Sequence, residues 1–75
     1  MTPVDFRNAL SVLRWSERTV AGLLGVSHNT ANRYARGDRK IPADVALWLV
    51  AHARLAAAAH AAYPPPRRAH PDLED

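Results

Sequence analysis

Apolar residues return at helical intervals along most of this chain, and glycine, proline or a small hydroxyl marks each break. Phe6, Leu10 and Leu13 recur every three to four positions, the spacing of one face of an α-helix. Thr2, Pro3 and Asp5 ahead of them form a helix start: a capping hydroxyl, a proline whose missing N–H is free in the first turn, and an acid at the positive end. This first helix is predicted to run to about Arg14. Val20, Leu23 and Leu24 define a second inward face, opened by Ser16 as N-cap and closed by Gly25, where the chain must turn through a left-handed conformation. Ala21 is small where another helix must pass close, and Val26 faces the core from the turn. Trp15, just before the cap, is predicted to pack across the start of the second helix as a staple. Ser27 caps a third helix by accepting from the amide of Asn29 or Thr30; Ala31, Tyr34 and Ala35 are its inward face, and Gly37 ends it. The longest helix starts at Pro42 and runs to about Tyr63, with Val45, Trp48 and Leu49 closing the core and His52 on the same side.

What the third helix leaves outside is His28, Asn29, Asn32, Arg33 and Arg36, with no acid among them. Any small soluble helix has a polar wet face, so the set alone says little. Here it sits on the second of two short helices joined by a glycine turn, an arrangement that pushes the second helix out as a ridge fitting the DNA major groove. Asn can bond adenine in a bidentate way, and Arg does the same with guanine O6 and N7. His28, Asn29, Asn32 and Arg33 are therefore the candidates for reading bases. Ser27, Thr30, Arg36, Arg39 and Lys40 are the candidates for holding phosphate, which fixes the register of such a helix. Charged loops are common simply because they stay solvated, and Arg39 and Lys40 gain the phosphate reading only beside a groove-reading helix.

The segments WSERTVAGLLGVS at residues 15–27, RYARGDRKIP at 33–42 and VALWL at 45–49 resemble the lambda-repressor-like, Cro and repressor type (XRE-like) helix-turn-helix family, over residues 13 to about 55. The resemblance implies an all-α domain of four to five helices around one core, with Asn29, Asn32 and Arg33 at base-reading positions and His28 and Arg36 beside them. One position departs from the family. Many members carry Gln at the start of the first motif helix, where it touches phosphate or supports the reading residue, and this chain has Glu17. A carboxylate there repels phosphate unless an Arg covers it, although it suits the positive end of a helix dipole.

Seventy-five residues make one small domain, near the size at which packing alone is marginal. The formal charge is +3, and residues 1–66 hold eight Lys or Arg against four Asp or Glu, so the helical part is the basic part. That balance favours a polyanion, though many unrelated small domains share it. Without cysteine there is no disulfide and no thiolate zinc site. His28, His52, His60 and His70 have no carboxylate at a spacing that completes a metal site, and no Ser, His and acid arrangement proposes catalysis, so no cofactor and no enzymatic activity are expected. The longest uninterrupted apolar run, residues 45–51, is far short of a membrane span, and the N-terminus is unlike a secretory signal; a cytoplasmic protein with no membrane partner is expected. Residues 1–63 are read as the DNA-binding domain and residues 64–75 as a Pro-rich, disordered tail.

The last helix turns Ala-rich beyond Leu55 and extends further than a four-helix core needs. Leu55, Ala59 and Tyr63 form one stripe of it and are the candidate contact of a homodimer; a solvated terminal helix fits the same pattern. Together these features point to a regulator that binds double-stranded DNA and represses by occupying a short operator. Two other functions fit the same elements: a protein-interaction module whose basic helix meets an acidic surface, and an architectural, excisionase-like factor that bends DNA.

Overall fold

Four helices and no strand make up residues 1–66, the part of the chain that the computed structural model describes: α1 (Pro3–Leu13), α2 (Glu17–Leu24), α3 (His28–Arg36) and α4 (Ala43–Ala62). The expectation of a disordered tail falls mostly on residues 67–75, outside the described residues; Pro64, Pro65 and Pro66 follow the end of α4 without regular structure.

The helix starts follow the caps read from the sequence. Thr2 Oγ1 accepts from the amide of Asp5 at 3.0 Å while Asp5 Oδ2 accepts from the amide of Thr2 at 3.2 Å, a reciprocal pair that satisfies two otherwise free donors. Ser16 accepts from the amide of Thr19 at 3.0 Å and Ser27 from that of Thr30 at 3.1 Å. α4 differs: Pro42 is its N-cap rather than its first helical residue and makes no side-chain cap bond.

Three helices end alike. Arg14, Gly25 and Gly37 take φ of 61°, 71° and 81°, and the next residue donates back into the last turn: Trp15 to Leu10 O at 3.0 Å, Val26 to Ala21 O at 3.0 Å, Asp38 to Arg33 O at 2.9 Å. Glycine adopts this backbone freely, but Arg14 does so at a cost of about 1–2 kcal/mol. α1 accordingly stops at Leu13, one residue short of the expected end.

Phe6, Val20 and Leu49 are fully buried at the centre, surrounded by Ala9, Leu10, Ala21, Ala31, Tyr34, Ala35 and Ile41. Phe6 meets the Tyr34 ring edge-on, with centroids 5.8 Å apart. α1 is the hub, packing on α4 and on α3, while α2 leans on α3.

One apolar residue departs from expectation. Leu23 is 57% exposed because the buried seam of α2 runs through Val20 and Ala21 with Leu24 beside it; Leu23 falls off that seam, beside Asp44, Val45 and Trp48. Trp15 packs against the core and meets Trp48 of α4, with centroids 5.5 Å apart and the rings tilted by 31°. His52 completes this half-buried group, with its ring 4.8 Å from Trp48 and its Nδ1 2.9 Å from the Trp48 carbonyl oxygen.

Only Leu49 of α4 is fully buried. Leu55, Ala59 and Tyr63 all lie exposed, as does Leu47 nearer the core. Taken as a whole helix, α4 is long and apolar enough to cross a bilayer by length and composition, with 20 residues and a mean hydropathy of 1.3. The expectation of no membrane partner, drawn from the short run at residues 45–51, therefore does not follow from length. Against a bilayer-spanning role, α4 carries Asp44 and Arg54, and its first half packs on α1.

Candidate nucleic-acid interface

The turn Gly25, Val26, Ser27 joins α2 to α3, and α3 divides cleanly between inside and outside. Ala31, Tyr34 and Ala35 are buried; the two alanines let the neighbouring backbone come close, and Tyr34 anchors the helix on Phe6 of α1. Asn29, Arg33 and Arg36, spaced i, i+4 and i+7, are exposed on one line.

The other two candidate base readers, His28 and Asn32, lie on the flank of α3 that faces the start of α2, where His28 is exposed. Asn32 is half-buried, and its Nδ2 donates to Glu17 Oε1 at 2.9 Å. His28 Nε2 lies 3.8 Å from the same oxygen, too far for a hydrogen bond but close enough for attraction when the ring is protonated. Of the four candidate base readers, His28, Asn29 and Arg33 are thus exposed, and Asn32 is half-buried beside Glu17. Among the described residues no arginine pairs with Glu17; its partners come from α3, and its side chain keeps 31% of its exposure.

The candidate phosphate contacts are also unequal. Ser27 and Thr30 hydroxyls lie 3.1 Å from one another, and Ser27 also takes the Thr30 amide, so both serve the cap of α3 first. Arg36 Nη2 sits 3.2 Å from Asp38 Oδ2 in a pair more than half exposed on both sides, an interaction that water weakens and a phosphate can displace. Arg39 and Lys40 are exposed in the loop after α3 and make no ion pair among the described residues.

Two contacts with α1 fix the far end of α3. The Arg7 guanidinium donates to the carbonyl oxygen of Ala35, one of the terminal carbonyls that a helix leaves without an internal partner, and its charge suits the negative end of the dipole. Gly37 lies so close to Pro3 that a Cβ there would be 2.9 Å from the proline Cγ. Arg7 is the residue of this region that sequence reasoning did not assign: it acts on Ala35, far along the chain, and no local pattern announces such a pair; Glu17 stood out as a departure from Gln, but its bond to Asn32 did not.

No protein-family model matches the chain, and no curated protein or solved structure matches it.

Proposed function

We propose that this chain is a lambda-repressor-like, helix-turn-helix regulator that binds a short operator in double-stranded DNA through α3 and represses transcription by occupancy. The observation that carries the reading is the exposed line Asn29, Arg33 and Arg36 on a helix whose opposite face is buried and whose two ends are fastened. Asn and Arg have the donor and acceptor geometry for adenine and guanine edges, and a helix held at both ends presents them in fixed register. Arg39 and Lys40, in the loop that leaves α3, supply charge for the adjacent backbone. The motif spacing over residues 13 to about 55 supports the same family.

One short helix reads too few base pairs to single out one site among the roughly millions of competitors in a genome, so the regulator acts as a two-fold dimer with half-sites about 10 base pairs apart. A second copy is the proposed cover for the exposed stripe Leu55, Ala59 and Tyr63 on α4, which is small-residue-rich and lets two helices approach closely.

Selection of bound duplexes from a random pool tests the function. One defined motif with two-fold related halves is the expected result; retention of all sequences alike would leave only non-specific charge attraction, and no retention at all would remove DNA as the ligand.

A further inference from the structure

We propose that the groove between α1 and α4 is a second self-association surface, which takes the same groove of another copy of the chain across a two-fold axis. The inference goes beyond the DNA-reading function and does not rest on it.

Ala9 and Val12 of α1 and Leu47, Val50 and Ala53 of α4 line this groove; among the described residues none of α2 or α3 does, so a copy seated here leaves the exposed line of α3 open. The shape of the groove is self-complementary. Leu47 projects from one edge, 74% exposed, while Ala9 and Ala53 make a shallow floor that a leucine can fill. Across a two-fold axis each Leu47 enters the hollow of the other copy, and one fit is made twice. The charges are self-complementary too. Asp5 lies on the α1 wall and Arg54 on the α4 wall, and neither makes an ion pair among the described residues. An anionic or cationic amphiphile would satisfy one of them and be repelled by the other. The same patch reversed offers a base to Asp5 and an acid to Arg54. With about 3.6 residues to the turn, Leu47, Val50 and Arg54 sit on nearly the opposite side of α4 from Leu55, Ala59 and Tyr63, so the two contacts are separate and both are filled in larger assemblies. The groove patch is small. Its α4 wall, from Ala46 to Ala57, is about 17 Å long and packed helices lie about 10 Å apart, well short of the ~800 Å² per partner of a stable complex. Association here is therefore weak, with a Kd of roughly 0.1–1 mM, and micromolar protein does not populate it.

The test follows the mass of the whole chain by sedimentation equilibrium from roughly 10 µM to 1 mM. It uses the wild type and the Leu55→Glu, Ala59→Glu background, in which the distal stripe no longer pairs and the groove is the contact left; circular dichroism shows which variants fold. The background chain is expected to be a monomer when dilute and to approach a dimer at the upper end. Adding Leu47→Glu is expected to hold it a monomer throughout. Arg54→Asp alone and Asp5→Lys alone each set like charges against one another across the axis and are expected to weaken pairing about ten-fold. An equimolar mixture of the two is expected to recover it, because each then meets opposite charges, and general charge attraction gives no such recovery. Asp5→Lys also removes the carboxylate that pairs with Thr2; if it does not fold, Arg54→Asp and Leu47→Glu decide. A background chain that stays monomeric at ~1 mM overturns the proposal. So does pairing that survives Leu47→Glu in a folded chain, or a mixture of folded charge variants that fails to recover. A wild type already monomeric when dilute overturns the distal dimer alone, and the same variants then test the groove in the wild type.

Discussion

α3 and α4 leave surfaces of opposite character to the surroundings. α3 is sharply two-faced, with Ala31, Tyr34 and Ala35 inside and Asn29, Arg33 and Arg36 outside. α4 is apolar nearly all round, yet Leu49 alone is fully buried, and Leu47 and Leu55 stay 74% and 69% exposed. Water solvates the first surface without penalty, so what α3 offers is chemistry for a polyanion. Water penalises the second at about 25 cal/mol for each Å² of apolar area, so α4 gains from any apolar cover. Under the proposed function the two helices serve different partners: nucleic acid on α3, and a second copy of the chain on α4.

The contrast within α4 is the easiest to break. Leu49→Ala empties a fully buried site and is expected to remove about 2–5 kcal/mol, comparable with the whole stability of so small a domain, whereas Leu47→Ala is expected to stay within ~0.5 kcal/mol. Thermal unfolding followed by circular dichroism checks both. Equal losses would mean that Leu47 is also packed and that α4 has no spare face.

The contrast between α3 and α4 sharpens at the distal stripe. Glu placed at both Leu55 and Ala59 is expected to leave the monomer folded, abolish the dimer in light scattering and weaken operator binding by ~100-fold or more, because the second half-site loses its tether. A dimer that survives those charges moves the interface off this stripe; a monomer on a non-palindromic site ends the two-fold account.

A smaller effect belongs to the loop. Arg39→Ala with Lys40→Ala is expected to lower the slope of log affinity against log salt by up to roughly two units, while sequence preference persists, since phosphate contacts carry no base information. An unchanged slope places both side chains away from the DNA backbone.

Much of this architecture was legible because its signals are local. Thr2, Ser16, Ser27, Gly25 and Gly37 act on atoms three to five residues away, and the inner faces of α1 and α3 follow the helical repeat. What was not legible depends on residues distant in sequence. Trp15 finds Trp48, Arg7 finds Ala35, and Asn32 finds Glu17. Arg14 turns left-handed without the glycine that would announce it. On α4 the spacing of Val45, Trp48 and Leu49 did mark the inner face: Leu49 is fully buried with Val45 and Trp48 packed against the core, while Leu47 lies outside it.

The central claim is that α3 reads base edges through its exposed line. Affinity for the selected duplex and for a scrambled duplex of the same composition, measured at one salt concentration with wild type and Arg33→Ala, tests it most directly. The account expects the wild type to favour the selected duplex by ~10³-fold or more, and Arg33→Ala to lose about 1–3 kcal/mol on that duplex and little on the scrambled one, with its fold intact. Equal small losses on both duplexes would make Arg33 a phosphate contact or a bystander and contradict reading by α3.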